Sequence, residues 1–373
     1  MTAAPETWSE RADLAQRSLD LLWGAPWPQL LHNAHPVRDE STFNYWWLAH
    51  VIDCRLDAYR RTGDPRWLEA ARETARNIPE RNGGSLFNDY MDDMLWYALA
   101  LLRLVEADEP GGEQALSDVE QIWQHVIAHG WTDIHGPSMS WRRQQPDYKN
   151  TPANGPFIIL GARLARRTGR PERLHRAAAA MDWLGEHLVR EDGFVWDGLG
   201  REGGDAVDTD WRFTYNQGLM IGACVELFRT TGEGSWLDLG QRTAETSVRE
   251  LARDGVFVRD GADLDDRAPD VDGGDTGLFK GIWYRYAREL LAERDVPAVH
   301  DLVCSSTDAL WRHGTTTLAA AGAADAAPAH APDELVLRPG DDWRRPAPRE
   351  VGYSTHLSAI MATEARASLP GGH

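Results

Sequence analysis

Two adjacent aspartates, Asp92 and Asp93, lead directly into the apolar stretch MLWYALALLR, and Asp89 lies about one helical turn before them. Negative charge is thereby concentrated at the start of a helix that must be buried. The helix dipole stabilises one carboxylate there as an anion. The other, beside a like charge, has its pKa raised. Two carboxyls with separated pKa values are the equipment of acid/base and nucleophilic chemistry at a glycosidic bond. Read as bare residues, the pair is symmetric: nothing in it says which aspartate does which job. Asp, Asn, Thr and Ser are also ordinary N-caps, and capping accounts for a share of the polar residues at helix starts.

Those carboxylates need a frame. A junction recurs along the chain, as RRTGDPRW at 60–67, RRTGRPER at 166–173 and RTTGEGSW at 229–236. Each is a helix ending in Thr-Gly, a short turn, and a second helix that starts on Pro or a small residue. Weaker copies lie near 111 and 295, so the repeat falls every 48 to 63 residues or so, the mark of a helical-hairpin array. Five pairs, with flanking helices at 8–23 and 351–369, give twelve helices. They alternate between apolar all round (MLWYALALLRLV, GLMIGACVELF) and one-faced (PRWLEAARETARNI). All-round apolar helices are buried and one-faced helices lie outside. The expected fold is all-α, an (α/α)6 toroid of six inner and six outer helices, forming one catalytic domain over residues 1–373. Strands are expected only as short hairpin arms at VFVRDG (256–261) and GFVWDG (193–198). The Ala/Pro-rich stretch 314–350 reads as a long loop.

In such a ring the inner helices share one direction, and their N-termini meet at one mouth. The residues gathered there include Asn44, Trp46 and Trp47, then Asp89, Tyr90, Asp92 and Asp93, with Trp96 one turn on. The later inner helices add Asn150 and Asn154, then Tyr215, Asn216 and Gln217, then Asp275, Thr276 and Lys280, and finally His356. Trp141, Asp208 and Asp210 lie close by in sequence. Aromatic rings that stack and amides that pair with hydroxyls are what a sugar site needs. The chain has 17 Trp. Trp67, Trp123, Trp183, Trp236 and Trp311 fall on outer helices and read as packing residues, leaving Trp46, Trp47, Trp96 and Trp141 as candidates for substrate.

The strings YMDDMLWYALALLR, YKNTPANGPFIILGARLARRTG, FTYNQGLMIGACVELFRTTG and DTGLFKGIWYRYAREL, in this order over residues 40–290, resemble glycoside hydrolase family 76. The Asp-Asp pair and FTYNQG are the most specific marks. The resemblance implies an (α/α)6 fold and a retaining hydrolase of α-1,6-mannan or mannooligosaccharides. It makes Asp92 the nucleophile and Asp93 the acid/base. Tyr215, Asn216, Gln217, Asn150 and Asn154 become subsite residues, with Asp208 and Asp210 as hydroxyl partners. Two departures stand out. Many members are secreted or surface-anchored, and the stretch MTAAPETWSERADLAQRSLD reads as a helix with no basic or apolar leader, so a cytoplasmic protein is expected unless the chain was trimmed. The segment 314–350 has no counterpart; folded over the mouth, it would turn an endo-acting groove into an exo-acting pocket.

Composition closes other routes. The formal net charge of −19 disfavours phosphate backbones and anionic membranes. No apolar run is long enough to span a bilayer. Cys54, Cys224 and Cys304 are isolated, which gives no basis for a disulfide framework or a Cys-based zinc site. No cofactor or metal is expected, and the acidic stretches 263–266 and 270–275 read as solvated turns. A preference for Arg over Lys, with abundant Ala, Asp and Gly, points to a GC-rich bacterial source. Two rival readings stay open: a sugar epimerase or isomerase on the same toroid, whose bases would be sought among His32, His35, His50 and His356, and a mannan-binding protein without turnover.

Overall fold

The computed structural model describes residues 5–38, 40–108, 111–261, 271–323 and 330–371. Twelve α-helices run through these residues in two layers. The outer six are α1 (Trp8–Trp23), α3 (Pro65–Arg81), α5 (Glu113–Gly130), α7 (Pro171–His187), α9 (Gly234–Leu251) and α11 (Pro297–Gly314). The inner six are α2 (Tyr45–Thr62), α4 (Met91–Ala107), α6 (Thr151–Thr168), α8 (Thr214–Thr231), α10 (Gly274–Glu293) and α12 (Tyr353–Ala367). Each inner helix packs on the next, and α12 returns to α2, closing the ring. The (α/α)6 toroid read from the repeat is the fold.

The Thr-Gly junctions work as their chemistry requires. Gly63, Gly169 and Gly232 each cap an inner helix in the left-handed region, at φ 69°, 67° and 77°, and each donates its N–H to the last turn of its helix. Nothing crowds these positions. Glycine is needed there for its dihedral, not for space. Gly218 of the FTYNQG stretch has the opposite reason. A Cβ there would meet the α10 backbone at Trp283, 2.7 Å away, so the missing side chain lets α8 and α10 touch.

The buried faces obey the same logic. From Met94 to Val105, α4 is buried at every position, whereas α3 buries only Trp67, Leu68, Ala71, Thr74, Ala75, Asn77 and Ile78. The outer-helix tryptophans fill seams between the layers: Trp123 stacks on Phe157 of α6 at 4.7 Å, nearly parallel, and Trp183 is buried with its indole N–H on the His135 carbonyl.

The strands exceed expectation. A sheet at the mouth joins β2 (Trp131–Thr132), β3 (Ser138–Arg142), β4 (Gln145–Asn150) and β5 (Gly198–Leu199), all antiparallel. The patterning of 131–150 did not single these strands out, because their partners are set by tertiary contact. The expected arm at 256–261 is β7 (Val256–Phe257), paired with β6 (Ala252–Arg253). The segment read as a plain loop at 314–350 also carries structure. There β9 (Thr315–Thr317) pairs with β10 (Leu335–Leu337), and β11 (Glu350–Gly352) pairs with β1 (Ala34–His35) and β8 (Val271–Asp272). Leu318, Val336, Leu337 and Trp343 are buried, and the Leu337 N–H reaches Ser18 of α1. These apolar side chains are scattered among Ala and Pro, which hides them in the sequence. The stretch 263–266 lies outside the described residues. Among the described residues no helix is long and apolar enough to cross a membrane.

Candidate active site

A cavity of about 490 Å³ opens at the mouth where the inner helices begin. Asp92 and Asp93, in the first turn of α4, lie on its lining with Trp46, Trp96, Trp141 and Trp211. Tyr215 and Phe279 stack ring on ring at 3.8 Å to complete one wall, and Trp46 stacks on Trp96. Size and make-up, aromatic walls with a few convergent polar groups, suit a small polar ligand with apolar faces.

The two aspartates are half-buried and differently bonded. Asp92 Oδ1 accepts from the Asp93 backbone N–H at 3.0 Å, and Asp92 Oδ2 accepts from the Trp141 indole N–H at 3.0 Å. Asp93 Oδ2 accepts from the Asn88 side-chain amide at 3.0 Å. Burial pushes the Asp92 carboxyl up to about 7, against the pull of those two donors. Asp93 is driven well above the usual carboxylate range, first by burial and then by the charges of Asp92 and Asp275. The pair titrates as a unit. Two donors favour the anion on Asp92, so the proton belongs on Asp93.

A third carboxylate, Asp275 of α10, faces the same space, its Oδ1 accepting from the indoles of Trp46 and Trp47 at 3.1 and 2.9 Å. A fourth, Asp197, lies just before β5 and is held on every side. Tyr148, Tyr215 and Asn216 donate to it at 3.1, 3.1 and 2.9 Å, and Arg201 pairs with it at 2.6 Å. Burial still pushes its pKa upward. The Arg201 guanidinium sits over Trp211, 3.8 Å from the ring centre, and also pairs with Asp208 and donates to the Tyr148 hydroxyl.

Of the sequence candidates, Asn44, Trp46, Tyr90, Asp92, Asp93, Trp96, Trp141, Asn150, Tyr215, Asp275 and Thr276 line this cavity. The others do not, and each has a visible occupation. Asn154 bonds the Met139 N–H and carbonyl, clamping the strand that carries Trp141. Gln217 clamps Val195 in the same two-sided way, two residues before Asp197. Asn216 and Asp208 stand behind the wall on Asp197 and Arg201. Trp47 reaches the cavity only through Asp275. Asp89 is exposed on a neighbouring groove, and Asp210 is exposed outside the lining. Lys280 is buried on the Asp341 carbonyl, and His356 is buried on the Ala15 carbonyl at 2.7 Å. Among the described residues, no group of three or more His, Cys, Asp or Glu is placed to hold a metal. No described residue of 314–350 lines the cavity, and 324–329 lie outside the described residues.

The sequence candidates omitted Asp197, Arg201, Trp211, Tyr148 and Phe279. Phe279 had a signal, since it lies four residues after Asp275 and so shares its helical face. Asp197 sits in GFVWDG, which reads as a hairpin arm. Nothing local marks Arg201 or Trp211, which a loop brings in.

The sequence profile of glycosyl hydrolase family 76 matches residues 9–319. A Listeria innocua protein of known structure superposes with a TM-score of 0.86 at 39% identity, over 96% of this chain and 97% of its own. The α-1,6-mannanase of a Salegentibacter species superposes at 0.83 with 30% identity, over 96% of this chain and 99% of its own; that structure is an inactive variant with two adjacent aspartates changed to asparagine, bound to α-1,6-mannotriose. A mannan endo-1,6-α-mannosidase of Candida glabrata is 28% identical over 52% of this chain and 47% of its own, so the chain spans about half the length of that curated relative.

Proposed function

The chain belongs to glycosyl hydrolase family 76, and on that premise we propose that it hydrolyses α-1,6-mannosidic bonds of mannan or mannooligosaccharides by retaining double displacement. The observation that carries this reading is the pair at the start of α4: one carboxylate bonded as an anion, its neighbour driven towards protonation, both in an aromatic cavity. In the first step an Asp92 oxygen forms a bond to the anomeric carbon as the bond to the bridging oxygen breaks. Asp93 gives its proton to that oxygen, and the leaving sugar departs as an alcohol. In the second step Asp93, now a carboxylate, takes a proton from water. The water oxygen bonds to the anomeric carbon and Asp92 is released.

The Salegentibacter enzyme supports the assignment, because its inactive variant is altered at two adjacent aspartates. Tyr215, Asn150, Asn44 and the tryptophans of the wall are the groups we assign to sugar hydroxyls and ring faces, with Asp275 and Asp197 added to them. The epimerase reading lacks bases here, since no histidine lines the cavity among the described residues. His50 lies beneath it, packed on Trp96 at 4.8 Å. Incubation with linear α-1,6-mannan, with proton NMR of the nascent reducing end, tests the proposal. The α anomer should appear first. The β anomer first would refute retention, and binding without cleavage would leave a mannan-binding protein.

A further inference from the structure

Among the described residues, Trp27 is the one exposed tryptophan, at 47%. It stands on a tight hairpin over residues 24–31, in the connection from α1 to α2, at the end of the ring where the inner helices begin. An exposed ring on a loop is ordinarily free to move; this one is held. Asn77 of α3 donates to the Pro28 carbonyl at 2.7 Å, and Arg81 donates to the Gln29 carbonyl and side-chain oxygen at 3.0 and 2.9 Å. The Ala25 and His32 N–H groups close the hairpin on the Leu30 and Trp23 carbonyls at 2.8 and 2.7 Å. Leu30 is kept at φ 61°, a left-handed conformation that a leucine rarely adopts. Two side chains of an outer helix and a strained backbone thus fix an aromatic face in solvent. Strain held in this way collects at ligand clamps.

Trp27 borders a groove of about 450 Å³ that shares no lining residue with the catalytic cavity. Leu48, Val51 and Arg55 line it from α2, and Ala70, Glu73 and Thr74 from α3. Spacings of three and four place each set on one stripe of its helix. Trp46, which lines the catalytic cavity, precedes Leu48 by two residues, so the two spaces lie on opposite faces of α2. Leu48 and Val51 are buried and give the groove an apolar base. Its polar groups are half-satisfied. Asp20 Oδ1 accepts from Arg55, which also donates to Gln16, and this orients the carboxylate with Oδ2 open. Glu73 is exposed, and no described residue bonds its carboxylate or the Trp27 indole N–H.

We propose that this groove is a second, non-catalytic sugar site that holds a stretch of the neutral α-mannan chain outside the catalytic cavity. The inference rests on the proposed function and extends it from the bond cleaved to the polymer carrying that bond. The chemistry selects the ligand. Carboxylates at the rim disfavour an anionic chain. Arg55 already matches Asp20, so the groove offers hydrogen-bond acceptors rather than a concentrated negative charge, and no described group of three or more His, Cys, Asp or Glu is placed to hold a metal. What fits is a neutral ligand with hydroxyls for the open oxygens and a C–H face for the indole. A fixed ring loses little freedom on binding. A chain held both here and in the cavity is retained more strongly than at either place alone.

Binding can be read apart from turnover. In the Asp92→Asn background, Trp27→Ala should weaken the retardation of the protein in native gels containing linear α-1,6-mannan, raising the apparent Kd about tenfold, the order of one lost stacked ring. Glu73→Ala should act in the same direction by about threefold, as one lost hydrogen bond would. Both residues are exposed, so either variant carries the test if the other misfolds. Unchanged retardation in the folded variants overturns the second site, and the hydrolase reading stands if the wild-type protein cleaves mannan. A dimer that Trp27→Ala converts to a monomer in analytical ultracentrifugation would mean that the groove seats a second copy of the chain, which also overturns the site. A wild-type protein that neither binds nor cleaves mannan overturns both readings.

Discussion

Asp92 and Asp93 on α4 and Asp53 and Asp57 on α2 are two aspartate pairs in the interior of one ring, in opposite electrostatic settings. Asp53 and Asp57 are buried, and burial alone would push their pKa values up. Arg103 donates to both, at 2.5 and 2.6 Å, while Arg285 and Arg288 meet Asp57 at 3.0 Å each. Those guanidiniums win, and both carboxyls are held below the usual range. Because α10 is not a ring neighbour of α2, the contacts from Arg285 and Arg288 reach across the interior of the ring. Among the described residues, no Arg or Lys bonds Asp92 or Asp93; the further charge acting on them is Asp275. Residue type does not separate these pairs, and burial pushes the pKa of all four upward. A matched guanidinium makes a buried carboxylate a structural tie, and its absence leaves a reactive group.

Mutations at the two pairs should therefore fail in different ways. The largest effect expected is on turnover. Asp92→Asn should lower kcat by at least ~10⁴-fold, on the scale of removing a covalent nucleophile. Asp93→Asn should cost about 10²–10⁴-fold on mannan. Both should keep their helical circular dichroism.

Stability should move in opposite directions, as read by urea unfolding at neutral pH. Asp57→Asn leaves buried arginines unmatched and should cost about 3–5 kcal/mol. Asp93→Asn removes a disfavoured charge and should raise stability. The linkage has a sign for each pair. The raised pKa values of Asp92 and Asp93 favour the fold below their unfolded value near 4, and this contribution is lost as pH rises through the folded values, about 7 for Asp92. The stabilising effect of Asp93→Asn should thus grow as pH rises above about 4. The depressed values of Asp53 and Asp57 contribute stability above about 4 that is lost on acidification. Equal signs for Asp57→Asn and Asp93→Asn would erase the distinction.

A smaller effect isolates one hydrogen bond. Trp141→Phe keeps a ring but loses the donor to Asp92. The kcat/KM profile should be a bell whose acidic limb reports Asp92, raised to about 7, and this variant should move that limb upward. A kcat loss of about tenfold should accompany it, matching one bond to a charged group. A merely structural Trp141 would leave the limb in place. The smallest effect belongs to Asp210→Ala, at an exposed residue off the lining, whose rates should stay within about twofold.

The ring was readable because each Thr-Gly junction is local: a capping dihedral, a helix stop and a helix start written within a few residues. The aspartates, Trp46 and Trp96 were readable because reactive or aromatic residues in the first turns of inner helices stand out. Within a run, though, side chains fan round the helix. Of Tyr215, Asn216 and Gln217, only Tyr215 faces the cavity, while Asn216 braces Asp197 and Gln217 turns to Val195. Composition marks such a run as polar and does not say which way each member points. Lys280 and His356 misled for the same reason. Arg201 and Trp211 were hidden differently, since the loop that places them is fixed by the ion pairs of Arg201 with Asp197 and Asp208, contacts that exist only in the fold.

The central claim is that surroundings, not identity, make Asp92 the nucleophile and Asp93 its proton partner. The most direct test is to trap the intermediate with a 2-deoxy-2-fluoro-α-mannosyl fluoride and locate the adduct by peptide mass spectrometry. The account predicts one fluoromannosyl group on Asp92. A label on Asp93, or on any residue outside the pair, would contradict it.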